Sequence, residues 1–242
     1  MNLLALETST SHLSVALWCD GHCLERSETV PNGGSERLLP WVKDLLSEAG
    51  LSLMHLNGIA FGAGPGGFTG LRLACGITQG LAVGLDVPVV AVSTLEALAY
   101  NAWRTHRQAE TDVDSILACL DARMNEVYCA AYRVCERGTE LECILTPWVA
   151  PPEQIMAHCA KTLADGQWWG CGDGFASYPS LLMNELPRRW PTIKPDAVAV
   201  AQLAVPRFLR GEGVGAEFAA PLYVRDKVAL TTAERLARGG VK

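Results

Sequence analysis

The chain has 242 residues, enough to bury a sizeable core in one large domain or in two small lobes. Hydrophobic residues make up 49% of it and charged residues 19%, which is the usual composition of a soluble globular protein. The formal net charge of −6 argues against a protein that grips RNA by itself, because clustered lysines and arginines make phosphate contacts. The N-terminus has no basic leader, and no uninterrupted apolar stretch approaches the roughly 18 residues of a membrane span. We therefore expect a cytoplasmic protein that does not contact a membrane.

The first hundred residues predict three strands followed by alternating helices and strands. The three strands are residues 2–7, 13–19 and 23–30, and Asp20-Gly21 predicts a hairpin turn between the last two. The elements predicted after them are, in chain order, a helix at 35–49 with Ser35 as its N-cap and Gly50 as its stop, a strand at 58–62, a glycine turn, a helix at 67–84, a strand at 88–93 and a helix at 94–104.

After a polar linker at 104–114, the same order of elements restarts. The elements predicted there are strands at 115–121, 126–134 and 140–146, a helix at about 152–163, a strand at 167–170 and a second glycine turn at 170–174. Both copies end their first strand with a carboxylate, Glu7 or Asp121, and turn through G-x-G after their fourth strand. We interpret this pattern as an internal duplication of a βββαβα unit.

Two such units are the plan of the two-lobed actin-like (ribonuclease H-like) α/β fold, whose members place a nucleotide between the lobes. We predict lobes at residues 1–104 and 105–242. The candidates for a nucleotide site are the residues at the end of the first strand of each copy: Glu7, Thr8, Ser9 and Asp121.

The stretch GAGPGGFTG at residues 62–70 matches the G-x-G-x-x-G pattern without the context that dinucleotide binding requires. Three strands precede it, whereas in a Rossmann unit the glycines follow the first strand. Pro65 removes one backbone N–H, and no lysine follows as it does in a P-loop. We interpret Gly62, Gly64, Gly66 and Gly67 as allowing a tight strand-to-helix passage.

The nine cysteines and five histidines predict neither a disulfide framework nor a metal site. No C-x-x-C motif occurs, the number of cysteines is odd, and no two histidines stand at i, i+4. Five of the cysteines lie among apolar neighbours in strand-like runs, where cysteine behaves as a small hydrophobic residue. We expect buried, reduced thiols.

Several motifs, in order from residue 2 to about 229, closely resemble the TsaB family of bacterial tRNA threonylcarbamoyladenosine biosynthesis proteins. They are LALETSTSHLSVALW, SERLLP, GPGGFTGLRLACGITQGLA, VSTLEALA, LDARMNEVY and PLYVRDKVA. The resemblance implies an actin-like, two-lobed partner of a TsaD-like catalytic paralogue and a TsaE-like ATPase. Together these place threonylcarbamoyl on the adenosine beside the anticodon, in tRNAs that read codons beginning with A.

The resemblance further implies a non-catalytic scaffold that needs no cofactor and meets tRNA only through the complex. The catalytic paralogue has a His-x-x-x-His metal pair, which this sequence lacks. The segment ETSTS at 7–11 lacks the D-x-G-[ST] pattern with which active members of the fold class hold a phosphate. In the second copy, Arg123 and Met124 stand where a compact glycine would be wanted.

Two other functions stay open. The first is an ATP-dependent phosphotransferase in which Glu7 and Asp121 hold Mg²⁺ in the cleft. The second is a peptidase, for which the sequence offers no zinc pair and no serine in a G-x-S-x-G elbow. His12 near Ser9 and Ser11 is typical of a solvated turn.

The resemblance also implies that helices 35–49 and 67–84 dock the paralogue. A free subunit that exposes this surface is expected to bury it by self-association, as a homodimer. Gly76, Gly80 and Gly84 recur on one face of helix 67–84, where each costs roughly 1 kcal/mol of helix propensity relative to alanine. Such a stripe lets another backbone approach closely, either the partner's or that of the lobe's own sheet. The expected interface residues are Leu38, Leu39, Trp41, Val42, Leu46, Leu71, Arg72, Gly76, Gly80 and Gly84.

Overall fold

The computed structural model describes residues 1–30, 33–107, 115–135, 140–163, 167–178, 186 and 188–225. The elements of the first copy are β1 (Asn2–Glu7), β2 (His12–Cys19), β3 (His22–Thr29), α1 (Ser35–Glu48), β4 (Gly58–Gly64), α2 (Phe68–Leu85), β5 (Val89–Ser93) and α3 (Thr94–His106). Those of the second copy are β6 (Ser115–Asp121), β7 (Val127–Val134), β8 (Leu141–Ala150), α4 (Pro152–Leu163), β9 (Trp168–Cys171), α5 (Gly174–Ser177), β10 (Arg188–Trp190) and α6 (Ala197–Leu209).

The two copies build two five-stranded sheets of the same topology. The strand order is β3-β2-β1-β4-β5 in the first sheet and β8-β7-β6-β9-β10 in the second. In each, the first three strands of the copy pair antiparallel and the last two strands join in parallel. The predicted duplication and the actin-like fold class are confirmed. The copies differ in the helix after the glycine turn, because α2 has 18 residues and α5 has four.

Some element boundaries differ from those predicted. Helix α1 is capped by Gly34 at a φ of 86°, not by Ser35, because the chain enters the helix through a left-handed turn. The polar stretch predicted as a linker begins inside α3, and its residues 108–114 lie outside the described part. Asp20 and Gly21 both have positive φ, as the predicted hairpin turn requires.

Two helices lie between the sheets and share one core with both. Helix α3 contacts β4 and β5 of the first sheet and β6 of the second. Helix α6 follows the second sheet in sequence but packs on β1, β2 and β4 of the first. Its start is fixed there, since Ala197 N–H donates to Ser14 Oγ at 2.8 Å and Asp196 caps Ala199 N–H at 2.7 Å. The division into two lobes at 104/105 stays a proposal. Helix α6 belongs to the second lobe by sequence but packs on the first sheet.

The buried residues of this shared core are mostly small. They include Ala5, Ala16, Ala60, Ala97, Ala118, Ala130, Ala199 and Ala201, with Leu95, Leu98 and Trp169 among them. Small side chains let helices lie close to a sheet, and this brings the carboxyl ends of β1, β4 and β6 into one region. All nine cysteines are free and five of them are buried, as expected from their apolar neighbours.

Judged by length and composition only, helix α2 could cross a membrane. Among the described residues, no other helix is both long and apolar enough. Arg72, Thr78 and Gln79 interrupt its apolar run, and one side of it packs on the first sheet. One such helix is weak evidence for a membrane span, so the expected lack of membrane contact stays a prediction.

Candidate docking surface and inter-lobe cleft

Glu7, at the end of β1, is completely buried in the cleft region. Its Oε1 accepts a hydrogen bond from Ser9 N–H at 2.6 Å, while Oε2 is buried without a partner. A Cβ added to Gly62 would collide with this carboxyl group, so the glycine makes the space that Glu7 fills. Burial raises the pKa of Glu7 from 4.5 to about 7, and the negative charge of Asp196 adds to the effect. Glu7 is therefore not placed to hold Mg²⁺ in an open cleft.

Thr8 and Ser9 are buried against the start of α2. Thr8 Oγ1 donates to Gly70 O at 2.6 Å, and Gly67 N–H donates to Ser9 O at 2.7 Å. A Cβ on Gly66 would lie 2.6 Å from Ser9 O, and one on Gly70 would collide with the carbonyl of Thr8. Of the glycines at 62–70, only Gly64 has positive φ. The predicted tight strand-to-helix passage therefore relies mainly on the close approach of the loop to the turn after β1, and on positive φ only at Gly64.

Asp121, the counterpart of Glu7, is engaged by its own turn. Its carboxylate accepts from Arg123 N–H at 2.8 Å and from Arg123 Nη1 at 3.1 Å. Asp121 N–H donates to Asp173 at 2.9 Å, and Arg123, Met124 and Asn125 all have φ near 60°. Asp121 is thus engaged by its own turn, and Glu7 is buried within its own lobe. Within the described ranges, no group of three or more His, Cys, Asp or Glu side chains is arranged to hold a metal ion.

The raised pKa of Glu7 predicts that it makes stability depend on pH. A carboxyl whose pKa is higher in the folded state contributes stability below its unfolded value, and this is lost as pH rises through the folded value. Glu7→Gln removes the titration. The free energy of unfolding of the wild type, relative to that of Glu7→Gln, should fall by about 3 kcal/mol between about pH 4.5 and pH 8. Urea unfolding of both proteins measures this, and parallel pH profiles would contradict it.

The glycine stripe of α2 faces away from the body of the protein. Gly76, Gly80 and Gly84 are all exposed, and a Cβ added to any of them would meet nothing within 4 Å. The opposite side of the helix packs on the first sheet through Leu71, Ala74, Cys75, Thr78 and Ala82. The alternative, that the stripe packs against the lobe's own sheet, is therefore excluded.

An apolar groove of about 410 Å³ runs beside this face, between α1 and α2. It is lined by Leu39, Val42, Lys43, Leu46, Ser47, Leu51, Ser52, Leu53 and Leu81. Leu39 is 54% exposed and Val83, on the stripe side of α2, is 71% exposed. Helix α2 thus presents bare backbone next to exposed apolar side chains, a combination typical of protein contacts.

The expected interface residues divide into exposed and buried ones. Leu38 and Leu71 are buried and point inward from their helices, so neither is part of the exposed face. Val42 and Leu46 are also buried but line the groove, and Trp41 is half-buried against the first sheet's core. The other residues expected at the interface are exposed: Leu39, Arg72, Gly76, Gly80 and Gly84.

Val83 and Tyr223 were not expected at this surface. Val83 follows Gly76 and Gly80 at helical spacing, so the sequence pattern places it on the same face of the helix. Tyr223 accepts a hydrogen bond from Arg72 Nε at 3.1 Å, 151 residues away in the chain. No local pattern predicts that contact.

The family model described as "TsaD: tRNA N6-adenosine threonylcarbamoyltransferase" matches residues 30–164. The tRNA threonylcarbamoyladenosine biosynthesis protein TsaB of Escherichia coli (strain K12) is 37% identical over 235 residues, covering 95% of this chain and 96% of the relative. The chain belongs to the TsaB family. TsaB of Haemophilus influenzae is 35% identical and covers 94% of this chain and 95% of the relative. The resemblance noted in the motifs is confirmed.

Two solved structures from Pseudomonas aeruginosa agree with this placement. YeaZ is 40% identical with a TM-score of 0.81, covering 92% of this chain and 99% of its own. A protein described as uncharacterized with similarity to peptidase YEAZ is 41% identical with a TM-score of 0.84, covering 93% and 99%.

Proposed function

We propose that the chain is the non-catalytic subunit of the assembly that transfers threonylcarbamoyl to tRNA. Its TsaB relatives are named for threonylcarbamoyladenosine biosynthesis, and the transferase family model matches more than half of the chain. The observation that carries the proposal is the outward glycine stripe of α2 beside the apolar groove. A catalytic paralogue of the same fold has a matching pair of helices to place there.

The contact is a four-helix one in which α1 and α2 meet the equivalent helices of the paralogue. Bare glycine backbone allows two helix axes to come closer than side chains normally permit. Burying Leu39 and Val83 would then supply apolar area, at about 25 cal/mol per Å². Without the paralogue, the same face pairs with a second copy of this chain, which gives a homodimer.

The catalytic silence of this subunit is supported by the engagement of its acidic residues. Glu7 is buried with its pKa raised to about 7, and Asp121 is held by Arg123. The alternative phosphotransferase, which needs both carboxylates open to Mg²⁺, is not favoured. A peptidase is not favoured either, because His12 Nδ1 lies 3.2 Å from Thr29 Oγ1 and so is turned to β3.

Transfer RNA meets this subunit through the complex. Arg207 pairs with Glu96 at 2.5 Å, and Arg210 pairs with Glu140 and Glu212, so these cations are matched by carboxylates. A TsaE-like ATPase completes the assembly, which works in the cytoplasm where tRNA is available. No cofactor is assigned to this chain.

Reconstitution tests the proposal. Purified catalytic paralogue, ATPase, threonylcarbamoyl donor and tRNA should show faster threonylcarbamoyl transfer when this chain is added. The isolated chain should neither hydrolyse ATP nor release heat on titration with ATP or ADP. Turnover by the isolated chain that is abolished by Asp121→Ala would instead assign it a catalytic role.

A further inference from the structure

The segment after α6 is fastened to the first lobe at three places. We call residues 214–225 the C-terminal strap. Val214 and Val89 exchange backbone hydrogen bonds of 2.8 and 2.9 Å. Ala219 O accepts from Gln79 Nε2 at 2.9 Å, and Leu222 N–H donates to Ala63 O at 2.7 Å. The strap therefore follows α2 and reaches the carboxyl end of β4.

The last described residue of the strap is fastened to the second lobe. Arg225 Nη2 donates to Ala122 O at 3.0 Å and pairs with the carboxylate of Glu126. Its guanidinium lies 5.6 Å from the ring centroid of Tyr128, and its side chain is only 13% exposed. A charge-assisted bond shielded from water in this way is stronger than a surface ion pair.

The crossing between the lobes is short. Three residue steps separate Leu222, bonded to β4, from Arg225, bonded to the turn after β6, and such a segment spans at most about 11 Å. The strap therefore limits how far the lobes can separate while both ends hold. Within the described residues of the strap, Arg225 makes the contact with the second lobe. Loss of this contact therefore detaches the strap from that lobe.

The strap also touches the first turn of α2. Tyr223 stacks on Phe68 with ring centroids 5.9 Å apart, and its hydroxyl accepts from Arg72. Arg72 in turn lies 3.6 Å over the Phe68 ring. One short segment thus joins α2, the carboxyl end of β4 and the turn after β6.

We infer that Arg225 is a positioning residue that fastens the strap to the second lobe, fixes the angle between the lobes and ties α2 to that angle. The effect on the catalytic paralogue rests on the proposed function. The effect on the lobes does not.

Hydrogen exchange of the isolated chain tests the fastening. In Arg225→Ala, the amides of Ala122, Glu126 and Leu222 should exchange about tenfold faster, while those of α1 and β2 stay unchanged. Arg133→Ala is the matched control, because Arg133 forms an exposed ion pair with Glu142 on the same sheet. It should leave all of these amides unchanged. Unchanged exchange in Arg225→Ala, or a uniform increase throughout the chain, would overturn the inference.

Two milder variants keep the test decisive if Arg225→Ala does not fold. Glu126→Gln removes the charge of the partner, and Arg225→Lys keeps the charge without the planar guanidinium. Both should speed exchange at the same three amides, by less than Arg225→Ala. Exchange equal to that of the wild type in both variants would contradict the role of Arg225.

A second arm measures the consequence for the complex. The dissociation constant of Arg225→Ala for the catalytic paralogue should stay that of the wild type, while threonylcarbamoyl transfer slows several-fold. Weaker docking with an unchanged rate at saturation would overturn the tie between the strap and the partner's chemistry. If wild-type chain does not bind the paralogue, the proposed function fails, and the exchange experiment still decides on the fastening.

Discussion

Gly80→Leu is expected to abolish binding of the catalytic paralogue while the isolated chain remains folded. A Cβ added at Gly80 meets nothing within 4 Å in this chain, and leucine favours a helix over glycine by roughly 0.8 kcal/mol. The isolated variant should therefore fold, and its monomer should be at least as stable as the wild-type monomer. In the complex, the new side chain would hold two helix backbones apart where they must touch. Calorimetric titration with the paralogue and thermal unfolding of the free chain measure the two effects.

The control for added bulk is Ala157→Leu, at an exposed position of α4, the second copy's counterpart of α1. It should bind the paralogue as the wild type does. Gly80→Leu should also be monomeric where the wild type self-associates, since both contacts use the same face. Undiminished docking by Gly80→Leu would place the interface elsewhere, and loss of the fold would contradict the outward direction of the stripe.

Gly70→Ala should destabilise the chain by about 2–3 kcal/mol. A Cβ at this position collides with the backbone carbonyl of Thr8, and that carbonyl is held in place because its neighbours pack on the glycine loop. Either α2 must move away from β1 or the turn after β1 must deform. Either movement strains the hydrogen bonds that join Thr8 to Gly70 and Gly67 to Ser9.

The matched control lies on the same helix. Gly76→Ala meets nothing within 4 Å and should raise stability by up to about 1 kcal/mol, because alanine favours the helix. Urea unfolding of the two variants should move the midpoint in opposite directions. A stable Gly70→Ala would show that the turn after β1 can yield. A destabilised Gly76→Ala monomer would show that the chain itself covers this face.

Much of the fold could be predicted because its signals are local. Alternating apolar residues in β1 and β2, the Asp20-Gly21 turn and the repeated carboxylate and G-x-G gave the duplicated unit and its topology. Helix α6 was not predicted. Its Ala- and Val-rich run has no polar face, and Ala197 is hydrogen-bonded to Ser14, 183 residues away. Contacts at such a separation leave no pattern in either segment alone.

The candidate surface could be predicted only in part, because it too depends on contacts between residues that are far apart in the sequence. Helical spacing identified Gly76, Gly80 and Gly84 as one face but could not say which way it turns. The apolar side of α1 also did not reveal that Leu38 lies under the helix while Leu39 lies beside the groove. The strap has neither strand nor helix periodicity, so its link to Ala122 and Glu126 is visible only in three dimensions.

The unequal length of α2 and α5 has a consequence for how many molecules can join. Among the described residues, the second copy has the four residues of α5 where the first has the 18 residues of α2, so it presents no equal face there. A protein with one such face closes into a pair, whereas two faces on one molecule would permit open filaments. Under the proposed function, self-pairing and partner binding would compete for this one surface. The concentration of free catalytic paralogue would then set what fraction of the homodimers dissociates to bind it.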